Sequence, residues 1–216
     1  QEAVRSTPVV EPPVDFEKKS TITTPQKVET YSSAELSLIR TLIKYGIYAI
    51  EVPSQNDEGQ DIMVETSIAE LICHELEKDE LTFDYPLFNK IHQIFTAGLA
   101  ENTFYKPSYF LNNEDQEMVR FVSEIESNEH ELSPKWFEKH KIVTQGEKDR
   151  LPFLAMSSIY SFKNYKIEKR IKEIQTELDN FDYENFDKMT DLISEQIQLE
   201  QVKKTISLKL GRIILK

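Results

Sequence analysis

Apolar residues recur three and four positions apart along most of the chain, and that spacing is the mark of amphipathic helix. In "SSAELSLIRTLIKYG" the stripe is Leu36, Ile39, Leu42 and Ile43. It predicts a helix over 34–45, with Ser32 or Ser33 as N-cap and Gly46 closing it. "IYAIEVP" reads as a short strand or an extended segment ending at Pro53, and "SQNDEGQD" as a polar loop. A second helix follows a cap at Thr66 or Ser67, with Ile68, Leu71, Ile72 and Leu76 on one face. A third begins at Pro86, tolerated in a first turn, and carries Leu87, Phe88, Ile91, Ile94, Phe95 and Leu99. An aromatic-rich stretch, "KPSYF", precedes a helix containing Met118, Val119, Phe121, Val122 and Ile125. "LSPKWFEKHKI" predicts a short helix with Ser133 as cap and Pro134 at its first position. Residues 34–142 therefore read as a compact bundle of short helices, with no strand signal strong enough to change the class.

A different pattern occupies the last third. One long helical period runs from about Asp149 to Leu178 and another from about Glu184 to Ile214, interrupted only by "DNFDY". So short a break forces an antiparallel reversal. With the turn centred near Asp182, facing residues have numbers adding to about 364. Leu178 then faces Phe186, Ile174 falls beside Met189, Ile171 faces Ile193, Ile167 faces Ile197, and Phe162 faces Val202. Nearer the base, Leu154 faces Leu210 and Leu151 faces Ile213, while Lys169 comes opposite Glu195. Arms of about 30 residues extend roughly 45 Å at 1.5 Å per residue. That exceeds a small bundle, so part of the hairpin must project. The proximal stretch "LPFLAMSSIYSF" is apolar on more than one face, which predicts packing on the bundle as well as on the last helix. The predicted class is thus all-α: a small helical bundle followed by a long antiparallel helical hairpin.

Composition adds limits. Residues 1–31 carry four prolines and no sustained period, which predicts a flexible linker. The organisation is then linker 1–31, bundle subdomain 32–147 and hairpin subdomain 148–216. The chain starts at Gln1, which suggests a piece of something longer. A net charge of −12 disfavours phosphate backbones and anionic membrane surfaces, so nucleic acid is expected to bind only weakly if at all. No apolar run approaches the ~20 residues of a membrane span, and cytoplasmic residence follows by default. The single cysteine, Cys73 in "AELICHEL", excludes an internal disulfide and a cysteine-based zinc cluster, and reads as a small buried thiol.

Catalytic chemistry is hard to find. His74, His92, His130 and His140 make no HxxxH or HExxH pair. His74 and His92 read as solvated or capping side chains on helix surfaces. "DEGQD", Asp57–Asp61, superficially resembles an acidic metal-binding motif, but no apolar strand is expected to lead into it, and it reads as a loop. Phosphate-binding glycine loops and a nucleophile elbow are also missing. Catalytic, cofactor and metal residues are therefore expected to be none. Phe181, Tyr183 and Phe186 sit at the hairpin tip. Either they fill the end of the seam and close the turn, or one or two face outward as interface anchors. Leu208, Ile214 and Leu215 lie off the seam and either pack on the bundle or form a partner-facing patch.

The order of "ELSLIRTLIKYG", "IAELICHELEKDELTFDYPLFNKIHQIF", "YFLNNEDQEMVRFVSEI", "KRIKEIQTEL" and "SLKLGRIIL" resembles the C-terminal helicase-interaction region of bacterial replicative DNA primase, in its Bacteroides-group form. The resemblance covers roughly residues 33–215. It implies a bundle-plus-hairpin fold and a non-catalytic role, docking a primase on the N-terminal domain of the replicative helicase so that RNA primers are made at the fork. The docking part would be the hairpin, about 158–214, with Phe181, Tyr183, Phe186, Leu208, Ile214 and Leu215 as candidate partner-binding residues. A homodimer through the hairpin is also open. The alternative is a nucleic-acid-binding module with a basic stripe of Lys163, Lys166, Lys169, Arg170 and Lys172 on one arm and Lys203, Lys204, Lys209 and Arg212 on the other.

Overall fold

A computed structural model describes residues 31–55, 59–127, 150–181 and 186–211. Within them the chain is all-α in class, with seven helices and one two-stranded antiparallel ribbon. The segments 1–30 and 128–149, which include the expected helix in "LSPKWFEKHKI" and all of the expected linker 1–31 except Tyr31, lie outside the described residues; the Tyr31 ring packs 5.3 Å from Tyr85 and 5.0 Å from Phe88.

Helix α1 (Ser33–Tyr45) starts at a capping box. The Ser32 hydroxyl accepts the Glu35 N–H at 3.0 Å, and the Glu35 carboxylate accepts the Ser32 N–H at 3.2 Å. Its stripe, Leu38, Ile39, Leu42 and Ile43, is fully buried. Gly46 closes the helix as expected, but in a right-handed conformation, φ −51°. Space rather than backbone freedom selects glycine there. A Cβ would collide with the Leu42 carbonyl oxygen and come 3.2 Å from the Phe95 ring.

Strands β1 (Ala49–Gln55) and β2 (Asp61–Ser67) pair antiparallel, with Ile50 opposite Thr66 and Val52 opposite Val64. The expected polar loop is therefore shorter than "SQNDEGQD", and an apolar strand does lead into "DEGQD". β1 alternates as a half-buried strand should, with Ile50 and Val52 inward and Glu51 outward. β2 does not. Ile62, Met63 and Val64 are all exposed, so the backbone ladder to β1, and no burial period, holds it. That is why a reading of periodicity passes over it.

Helix α2 (Ile68–Lys78) follows β2 directly through a second capping box, in which Ser67 is the cap and Glu70 the partner. Helices α3 (Pro86–Ala100), α4 (Pro107–Leu111) and α5 (Gln116–Ser127) complete the bundle. The aromatic-rich stretch is the one-turn α4, which exists to deliver Phe110. That side chain is fully buried, its ring 5.2 Å from that of Phe95.

Helix α6 (Leu151–Asp179) and helix α7 (Phe186–Lys209) form the hairpin. Leu151, Ala155, Ile159 and Phe162 of α6 belong to the same core as Leu42, Ile72 and Phe88. The Phe162 ring lies 5.0 Å from Phe83. The first half of α6 is thus a bundle helix and a hairpin arm at once, as its two apolar faces predict. Each such large side chain contributes about 1.5–3 kcal/mol on burial.

Candidate functional site

Beyond Phe162 the hairpin leaves the bundle core. Ile171, Ile174, Leu192 and Ile206 are buried, yet none belongs to that core. They form a separate seam between the arms. Along α7 and the turn that follows it the inward stripe is Met189, Leu192, Gln196, Leu199, Lys203, Ile206 and Leu210, all buried or half-buried. Its steps alternate three and four, the repeat of paired helices. The facing partners read from the sequence need correction here. Ile193, Ile197 and Val202 are 42%, 55% and 48% exposed. Each sits one position away from a seam residue, and one residue is a 100° rotation. Apolar content alone favours the wrong stripe, because the true seam includes Gln196 and Lys203.

Charges mark where bundle ends and free hairpin begins. The Lys163 ammonium, 10% exposed, sits 2.5 Å from Glu75 and 2.8 Å from Asp79, both on the α2 side. Burial alone would lower its pKa, but hydrogen bonds to Asp79 and Glu75 outweigh that and hold it above the ordinary lysine value. Lys166 and Lys169 reach Asp84 at 2.6 and 2.9 Å, and the Tyr165 hydroxyl donates to the same carboxylate at 3.3 Å. Partial burial of Asp84 works against ionisation, and the two ammonium groups more than reverse it, so its pKa lies below the usual carboxylate value. One residue later the partner changes. Arg170 makes a two-pronged contact with Glu195 on α7 at 2.7 and 2.9 Å and a further bond to Glu177 at 3.0 Å. Hydrogen bonding to Glu195 raises the guanidinium pKa further. The acid read as the partner of Lys169 therefore belongs to Arg170. Nearer the base, Lys203 contacts Glu168 at 3.3 Å, and the Lys209 ammonium lies 5.3 Å from the Tyr160 ring centre.

The six candidate partner-binding residues separate clearly. Phe181 is half-buried at the end of α6. Phe186 and Leu208 are 69% and 67% exposed, so neither fills the seam nor packs on the bundle. Tyr183, Ile214 and Leu215 lie outside the described residues. Three exposed apolar residues of the same helix, Ile193, Ile197 and Val202, fall in the seam by sequence and on the surface in the structure. A second heptad-like stripe beside the first is the signal for Ile193 and Ile197.

The remaining candidates are structural. Cys73 is buried, as read from its apolar run, and burial pushes its thiol up to about 11. His92 corrects the expectation of a solvated side chain. Its ring packs 5.6 Å from Phe83, its Nε2 has no protein partner, and burial lowers its pKa. His74 is exposed. Among the described residues the surface carries open grooves, such as the one lined by Ser108, Tyr109, Asn112, Asn113 and Glu114. Among the described residues no three His, Cys, Asp or Glu side chains converge as metal ligands would. No described helix is long and apolar enough to cross a membrane.

These features define a class: a helical bundle from which a two-helix arm extends, braced at its root by ion pairs and showing apolar side chains on its outer face. The chain belongs to the family described as a domain of unknown function, DUF8430, which matches residues 23–214. No curated protein and no solved structure matches it.

Proposed function

We propose that this chain is a non-catalytic docking module, the helicase-interaction domain of a DNA primase, which places primer synthesis at the replication fork. The observation that carries a docking role is the hairpin: its root is braced to the bundle through Lys163, Lys166 and Lys169, while Phe186 and Leu208 stand exposed on the outer arm. A rigid arm presenting apolar anchors suits protein recognition, because little ordering entropy is lost when it binds. The assignment to primase rests on the resemblance in segment order. The partner is then the N-terminal domain of the replicative helicase.

The basic stripe of the alternative reading has less support. Lys163, Lys166, Lys169, Arg170 and Lys203 each already face a carboxylate. Phosphate binding would have to break those pairs on a chain of net charge −12.

The test is capture of the helicase N-terminal domain by this chain at low salt. Association is expected, and Phe181→Ala with Phe186→Asp should weaken it while leaving the circular dichroism spectrum unchanged. Absence of association, or association indifferent to both changes, refutes the reading.

A further inference from the structure

We propose that the aromatic ledge after α3, Tyr105 and Tyr109 with the groove beside them, is a binding site for an extended proline-rich peptide, and that its occupant is this chain's own segment 8–13, "PVVEPP". This goes beyond helicase docking and does not depend on it.

The ledge is built before any ligand arrives. Asn102 turns the chain in a left-handed conformation, φ 54°, and the Thr103 N–H donates to the Gly98 carbonyl at 2.7 Å. The Tyr105 ring then lies against Gly98, where a Cβ would collide with it, and 6.3 Å from the Phe95 ring. Tyr109 stacks on Tyr105 at 4.3 Å and 35°. Phe110, buried in the core, anchors the single turn of α4 that carries Tyr109. Yet Tyr109 keeps 44% of its surface in solvent, and Phe104 keeps 45%. Beside Tyr109 runs the groove lined by Ser108, Asn112, Asn113 and Glu114. Rings fixed in place next to polar side chains make a surface that loses little entropy on binding, apolar on one side and hydrogen-bonding on the other.

That chemistry selects its ligand. A polyproline II strand has no internal hydrogen bonds, so its carbonyls stay free for hydroxyl and amide donors, and its apolar edges dock in aromatic-lined grooves. Segment 8–13 places Pro8, Pro12 and Pro13 within two turns of such a strand. At three residues per turn Val9 and Pro12 share one edge and Val10 and Pro13 the next, which leaves Glu11 on the third. Two adjoining apolar edges suit the Tyr105–Tyr109 pair, and Glu11 suits the exposed Lys106 between them in the chain.

Reach commits the site to the chain's own segment. The chain enters the bundle at Tyr31, whose ring lies 5.0 Å from Phe88. From Phe88 to Phe95 along α3 is about 11 Å at 1.5 Å per residue, and the Tyr105 and Tyr109 rings follow in steps of 6.3 and 4.3 Å. Tyr31 and Tyr109 are thus no more than about 26 Å apart. About 18 residues join Pro13 to Tyr31, and a flexible chain of that length has an end-to-end distance of about 25 Å. A tether matched to its span gives the highest effective concentration, on the order of 1 mM. A proline-rich segment arriving from solution at micromolar concentration competes poorly with that.

Paramagnetic relaxation in the full chain tests this. A nitroxide on Asp15→Cys, two residues from Pro13, should broaden the amide signals of Tyr109, Asn112 and Asn113; the native Cys73 is buried and escapes labelling. Tyr109→Ala should restore the Asn112 and Asn113 signals, and so should the double variant P12A/P13A, each with an unchanged circular dichroism spectrum. Titration with a synthetic peptide of residues 5–15 then separates the chain's own segment from a foreign one. P12A/P13A, its groove vacated, should bind that peptide about 10-fold more tightly than the intact chain does, and adding Tyr109→Ala should abolish the binding. Broadening that is absent, or that survives both variants, overturns the proposal. So does a peptide that binds the intact chain and P12A/P13A equally well, which would give the groove to another protein's segment, or a peptide that binds neither.

Discussion

The Glu35 carboxylate is 1% exposed and holds together two parts of the bundle that are far apart in sequence. One oxygen accepts the Ser32 N–H at 3.2 Å and the Ser32 hydroxyl at 3.3 Å, closing the start of α1. The other accepts the N–H groups of Asp84 at 2.6 Å and Tyr85 at 3.3 Å, anchoring the turn that leads into α3. That same turn presents Asp84 to Lys166 and Lys169, so Glu35 indirectly sets the root of the hairpin. Glu35→Ala leaves three backbone donors without an acceptor. A buried orphan costs about 1–3 kcal/mol. Part-burial of this junction lets water recover some of that, so the loss should total ~3 kcal/mol. Glu35→Gln keeps an amide oxygen for Asp84 and Tyr85 but turns an N–H towards the Ser32 donor, and should cost about 1–2 kcal/mol, the scale of a lost cap. Urea unfolding reads both. With a slope of about 2 kcal/mol per M, E35A should move the midpoint down by ~1.5 M at unchanged slope. An E35A loss under about 1 kcal/mol, or equal losses for the two variants, would refute a network in which each oxygen serves a separate element.

The remaining predictions concern the hairpin, its root and one tight turn. Ile174→Ala, at a fully buried seam position, should cost about 2–4 kcal/mol in urea unfolding, whereas Ile193→Ala at an exposed position should stay within about 0.5 kcal/mol; equal effects would restore the register read from apolar content. The depressed Asp84 pKa contributes stability that is fully present above the ordinary value of 3.8 and is lost as pH falls through the lower folded-state value. Asp84→Asn should therefore flatten the acid limb of a pH–stability profile, and an unchanged limb would show that this pair contributes nothing. His92 behaves with the same sign at milder pH: burial depresses it, so stability should fall as pH drops below about 6.5, and His92→Phe should remove that slope in thermal unfolding between pH 7 and 5. At Gly98 a Cβ would collide with the Tyr105 ring and approach the Thr103 carbonyl at 2.9 Å. Gly98→Ala should destabilise by about 1–3 kcal/mol despite its better helix propensity, and a more stable variant would mean that the turn shifts freely.

Local chemistry was legible in the residues themselves. Helix α1, a cap at Thr66 or Ser67 before α2, the first-turn proline of α3 and the pairing of two long helices at the end each follow from short-range spacing, because a capping hydroxyl and a three-to-four apolar step act within one or two turns. The buried thiol of Cys73 and the double duty of the first half of α6 follow from the same kind of pattern. Tertiary structure decided the rest. The seam of α7 includes Gln196 and Lys203 and leaves Ile193 and Ile197 in solvent, because a partner helix selects a stripe by geometric repeat over its whole length and not by the polarity of single positions. Strand β2 exists through hydrogen bonds to β1, which leave no period in its exposed residues. Lys169 answers to Asp84 and Arg170 to Glu195, since only the folded turn before α3 brings a carboxylate within reach of one and not the other. Which charges are neutralised, and which apolar face of the arm is left for a partner, depends on contacts between residues far apart in the chain, and spacing along a single helix carries no record of them.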